Sequence, residues 1–79
     1  MNMKIKSEKR AWVIIPEKGT LDIRQVWKLD GIVTEYVLTF RWATWDEVDG
    51  LRRRQHRVGR YERLTDAMNK LNEIVQLNA

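Results

Sequence analysis

The chain has 79 residues, 43% of them hydrophobic, with four tryptophans, no cysteine and a formal net charge of +4. That length lets one hydrophobic core form and leaves too little surface for a second, and the apolar content is that of a folding chain, so two domains and a disordered tail are both excluded. Without cysteine there is no disulfide and no thiolate for a metal, so the core or an oligomer interface has to supply the stability, in a setting expected to be cytoplasmic.

Residues 1–9 are rich in lysine and are expected to fray as an N-terminal segment of a single domain spanning 1–79. The apolar run Ala11–Ile15 is too short for a signal-peptide core or a membrane span, so no membrane partner is expected. Its β-branched and aromatic residues predict a first strand over 10–15. Pro16-Glu17-Lys18-Gly19-Thr20 closes that strand, with Gly19 suited to the positive φ of a short hairpin loop.

Ile23–Leu29 and Ile32–Trp42 flank Asp30-Gly31, a strong signal for a two-residue hairpin. A turn there places Leu29 opposite Ile32, Trp27 opposite Thr34, Gln25 opposite Tyr36 and Ile23 opposite Leu38. These residues share one side of the pleat, which Phe40 and Trp42 extend, and that side is predicted to face the core. The other side carries Arg24, Val26 and Lys28 against Val33, Glu35, Val37, Thr39 and Arg41, a mixed and solvated face.

From Thr44 to Arg63 two readings compete. Thr44 and Glu47 have capping-box spacing for a helix, which Gly50 in its second turn weakens. The preferred reading is a hairpin turning over Asp46–Gly50 into a basic fourth strand, Leu51–Tyr61, whose register is open. Residues 65–77 read as a helix with Thr65 as N-cap, Asp66 complementing the dipole and paired with Lys70, and Ala67, Met68, Leu71, Ile74 and Val75 forming one apolar stripe. The predicted fold is therefore α+β: an antiparallel sheet of three to four strands with a C-terminal amphipathic helix packed on one face, β-β-β-β-α.

Little in the chain suits catalysis. His56 is the single histidine, surrounded by arginines, and no nucleophile–base arrangement or glycine-rich phosphate loop occurs. Asp46, Glu47 and Asp49 offer oxygen ligands to a hard cation, yet the EF-hand spacing and its closing glutamate are absent, so the three read as a polar turn. A non-enzymatic protein without cofactor or metal is expected. Trp12, Trp27, Tyr36, Phe40 and Trp42 are expected to fill the core. Trp45 lies on the side opposite Trp42, beside the arginines, where it could stack on a base or anchor a protein interface, or simply cap the sheet edge.

Charge gives the strongest functional signal. Residues 51–64 hold Arg52, Arg53, Arg54, Arg57, Arg60 and Arg63 against Glu62, while elsewhere nine basic residues face ten acidic ones, so the whole positive excess sits in one segment. Guanidinium groups grip phosphates and carboxylates bidentately, and a strand kept soluble by charge would more usually carry lysine. On a fourth strand Arg53 and Arg57 would share one side and Arg52, Arg54 and Arg60 the other, and one set would join Arg24, Lys28 and Arg41.

The ending Arg57-Val58-Gly59-Arg60-Tyr61-Glu62-Arg63-Leu64-Thr65-Asp66-Ala67-Met68, a basic strand leading through a turn into an amphipathic helix, resembles the ending of many small phage and prophage accessory proteins. The resemblance covers about a quarter of the chain and implies a short partner-binding protein, a class that includes nucleic-acid binders and inhibitors of defence systems. Two functions are thus expected in turn. The first is binding of nucleic acid, DNA or RNA, through Arg24, Lys28, Arg41, Trp45, Arg52, Arg53, Arg54, Arg57 and Arg60; the second is docking of the same residues on an acidic protein surface as an inhibitor or adaptor. Either would be served by a monomer or a small homo-oligomer.

Overall fold

The computed structural model describes residues 6–27 and 34–78, with side chains from Lys9 onward in the first strand. Four antiparallel strands, β1 (Lys6–Ile15), β2 (Gly19–Trp27), β3 (Thr34–Asp46) and β4 (Gly50–Tyr61), follow one another in space as they do in sequence, and one helix, α1 (Leu64–Leu77), comes after them. This is the expected β-β-β-β-α arrangement. It is flat, 44 × 33 × 14 Å.

Between β2 and β3 the register is the one a turn at Asp30-Gly31 requires: Trp27 opposite Thr34, Gln25 opposite Tyr36 and Ile23 opposite Leu38. The turn itself, with Lys28, Leu29, Ile32 and Val33, lies outside the described residues. β1 begins at Lys6 instead of residue 10, because pairing to Val26 and Trp27 needs only backbone groups and proceeds through the polar stretch Lys6–Lys9. Arg10 is an extra residue between Lys9 and Ala11, and it donates to the Gln25 side chain.

The first hairpin turns at Pro16–Lys18, closed by the Lys18 N–H to the Ile15 carbonyl. Two residues there have positive φ, the expected Gly19 at 155° and also Glu17 at 66°. Gly19 serves a second need. A β-carbon on it would stand 2.2 Å from the Arg41 carbonyl oxygen, so glycine is what lets β2 start this close to β3.

The segment from Thr44 to Arg63 is the preferred hairpin. Asp46 Oδ1 accepts the backbone N–H groups of Val48 (2.7 Å) and Asp49 (3.1 Å), and Gly50 completes the turn at φ 78°. Those two bonds hold the Asp46 carboxyl below its ordinary pKa. One of its oxygens is thus committed to the turn, and no group of three metal-ligating side chains occurs among the described residues. β2 runs out of partners at Thr20 opposite Arg41, so Trp42–Asp46 and Gly50–Arg54 pair only with each other and project as a two-stranded arm.

One sheet face is covered. Ile15, Leu21, Ile23 and Leu38 are buried under Ala67 and Leu71 of α1, with Tyr36, Phe40, Met68, Ile74 and Val75 around them. A fourteen-residue helix is only about 21 Å long and covers the middle of the face. This is why the core is mainly aliphatic and why the expected aromatic core is only partly realised. Phe40 and Tyr36 lie at its margin, Trp27 and Trp42 are half-buried, and Trp12 is 63% exposed on the opposite face, because it alternates with the inward Ala11 and Val13.

The helix begins one residue earlier than expected. Its N-cap is Arg63, which makes no side-chain cap bond, and the first turn is closed by the Ala67 N–H to the Arg63 carbonyl; Thr65 therefore lies inside the first turn and is not the cap. Lys70 pairs with Glu73 at 3.3 Å. At the other end Asn78 donates to the Ile74 carbonyl and accepts from Lys18, tying the first hairpin to the helix C-terminus. No helix among the described residues is long and apolar enough to cross a membrane.

Candidate nucleic-acid interface

Among the described residues no element covers the face turned away from α1. Alternation along β2 brings Thr20, Asp22, Arg24 and Val26 to it, and the paired register adds Glu35, Val37, Thr39, Arg41, Ala43 and Trp45 from β3. Residues on β4 follow from the register that sequence could not provide. Arg57 lies opposite Thr39 and Arg53 opposite Ala43, so both join Arg24 and Arg41, whereas Arg52 opposite Thr44 and Arg54 opposite Trp42 start from the helix side.

Arg60 departs from the parity expected of it. Val58 is an extra residue in β4, turned inward against the core, and the shift places Arg60 opposite Val37 on the uncovered face. There it approaches Glu35 at 3.9 Å. Among the described residues this face therefore gathers Lys9, Arg24, Arg41, Arg53, Arg57 and Arg60 around two carboxylates, Asp22 and Glu35.

At its centre Asp22 is fully buried although none of the described elements covers it. The arginines do so. Arg41 Nε donates to Asp22 Oδ2 at 2.6 Å, and Arg24 Nε stands 3.6 Å from Oδ1. The second separation is too long for a hydrogen bond, and both of those atoms are buried without a nearer partner. Arg41 also donates to Gln55 Oε1 at 2.6 Å, so its guanidinium is held from two sides while remaining about a third exposed. A carboxylate beneath two arginines thus fixes the Arg41 head and partly offsets the repulsion between Arg41 and Arg24.

Beside this network lies an open groove of about 690 Å³ lined by Thr20, Arg24, Arg41, Arg53, Arg54 and Gln55, among others. Arg54, although rooted on the helix side, reaches its rim and approaches the Thr44 hydroxyl at 3.4 Å. Among the described residues no carboxylate lines it. Four arginines line the groove, two of them already facing Asp22, and guanidinium groups so placed can receive an anion with several oxygens.

The other predicted site residues are more scattered. Arg52 pairs with Asp49 at 3.6 Å, which balances its charge locally. Trp45, 75% exposed, sits at the end of the arm opposite Leu51, and Lys28 lies outside the described residues. Asp22, Gln55, Lys9 and Trp12 were not anticipated. Asp22 could have been found by carrying the β2 alternation one residue upstream of Ile23, where an acid falls on the same side as Arg24 and Arg41.

Comparison with protein-family models, with curated proteins and with solved structures finds no match to this chain. The chemistry of the uncovered face therefore carries the functional argument.

Proposed function

We propose that this protein is a non-catalytic nucleic-acid-binding module that uses the uncovered sheet face, gripping phosphates with Arg24, Arg41, Arg53, Arg54 and Arg57. The observation that carries the reading is the arginine-lined groove with Arg41 held over the buried Asp22. Oriented guanidinium groups lose less freedom on meeting a phosphate than free ones, and contacts to phosphate confer affinity with little sequence readout. Fluorescence-anisotropy titration against labelled oligonucleotides at several salt concentrations tests it. Affinity falls steeply with salt, in proportion to the number of phosphates neutralised, and absence of binding at low salt would contradict the reading.

A second reading is favoured by one observation. Trp45, Val48 and Leu51 form an exposed apolar tip at the end of the arm, 60–91% accessible, of the kind that anchors protein interfaces beside arginines. In that case the protein is an inhibitor or adaptor docking on an acidic protein surface. Purified protein would then carry no copurifying nucleic acid and would retain a specific polypeptide instead.

A further inference from the structure

The uncovered face carries aromatic surface that folding does not explain. Trp12 and Ile14 are 63% and 69% exposed on β1, an edge strand, on the same side as the arginines. Trp12 lies directly opposite Asp22, and the row continues through Thr39 to Arg57. The bulge at Arg10 puts Lys9 on this side, with its ammonium 5.5 Å from the centroid of the Trp12 ring. At the other end of the face stands Trp45. From the Trp12 row to Trp45 is six residues along β3 and two strands across, about 22 Å. The arginine-lined groove lies between the two indoles.

A basic track bounded by exposed aromatic rings differs from a surface that grips only phosphates. In a duplex the bases are stacked on one another and their faces are hidden, so an exposed indole has nothing to stack on. A single strand offers both phosphates to the arginines and base faces to the indoles. We infer that the preferred ligand is single-stranded nucleic acid running obliquely along the strands, with Trp12 and Trp45 as stacking platforms at the two ends and the phosphates between them on Arg24, Arg41 and Arg53. This inference rests on the nucleic-acid reading above and adds to it the ligand class and Trp12. The Lys9 ammonium beside the Trp12 ring supplies a cation where the adjoining phosphate would lie.

The test compares the full chain with Trp12→Ala and Trp12→Phe, using labelled oligothymidylate, oligouridylate and a mixed-sequence duplex of matched length, at two salt concentrations. Trp12 is mostly exposed, so all three proteins fold, which circular dichroism checks. Trp12→Ala weakens binding to the single strands by roughly five- to 150-fold and leaves duplex binding within about twofold, Trp12→Phe restores most of the loss, and the salt slope is unchanged because no cation is removed. Comparison of the thymidylate and uridylate arms distinguishes a DNA ligand from an RNA one. Unchanged single-strand affinity of Trp12→Ala, or an equal loss on the duplex, overturns the stacking role while leaving the phosphate-gripping face intact. A change in sedimentation of Trp12→Ala with unchanged affinity would mark Trp12 as a contact between copies and equally overturn it. Failure of the parent protein to bind any of the three ligands would remove the nucleic-acid reading itself.

Discussion

The two faces of this sheet are built from the same strands and answer different needs. On the helix side the buried residues are aliphatic, Leu21, Ile23 and Leu38 against Ala67 and Leu71, and removal of apolar surface from water explains each of them. On the other side, among the described residues, the largest apolar groups, Trp12, Ile14, Trp45 and Leu51, are exposed, and the one fully buried group is the acidic Asp22. Natural surfaces spread single apolar residues widely, but here they flank a cluster of arginines organised around a buried acid. The helix side is explained by folding and the open side is not, which is the reason for placing function there.

The largest expected contrast is in stability. Leu71→Ala leaves a cavity under the helix and costs about 2–5 kcal/mol, whereas Ile14→Ala on the open face changes stability by no more than about 0.5 kcal/mol, both measured by urea denaturation. Equal losses at the two positions would break the comparison. Asp22→Ala comes next and cuts across it, since it is an open-face substitution expected to destabilise. It removes the buried partner of two arginines that are each about one-third exposed, so solvent screening limits the loss to about 1–3 kcal/mol. It also lets Arg41 go slack, so affinity for oligonucleotide falls despite the gain of one positive charge. Tighter binding by Asp22→Ala would show that net charge alone governs the face.

The smallest effect concerns the arm. Asp46 has its folded-state pKa lowered by the bonds from Asp49 and Val48. A carboxyl shifted in that direction contributes stability at pH values above its unfolded pKa, and the contribution is lost as pH falls through the lowered folded value. Asp46→Asn therefore unfolds more readily than the parent near neutrality, and the difference narrows on acidification. A difference that is constant across that range would mean the turn does not depend on the ionised group.

Legibility in the sequence followed the same division. Asp30-Gly31 with period-two alternation was enough to fix the β2–β3 register, because a slip of one residue would have turned Ile23 and Leu38 to water. No comparable signal exists in β4, where arginines occupy both parities from Arg52 to Arg57 and Val58 then inserts a residue that moves Arg60 across the sheet. Trp12 was misplaced for a related reason. Ala11, Val13 and Ile15 alternate with Trp12 and Ile14, so both sides of β1 are apolar, and size favoured the wrong one. The hairpin preferred over a helix at Asp46–Gly50 matches the Asx-type turn and the left-handed Gly50 that the structure contains.

The central claim, that one face and not basicity in general binds the ligand, is tested most directly by two neighbouring arginines. Arg52 and Arg53 are adjacent, lose the same charge when replaced by glutamine, and start from opposite sides of β4. In anisotropy titrations against a single-stranded oligonucleotide, Arg53→Gln should flatten the log–log salt slope by about 0.7 and weaken binding at low salt, while Arg52→Gln, already paired with Asp49, should leave the slope within error of the parent. Equal changes in the two variants would contradict the face-specific site and leave only a diffuse basic surface.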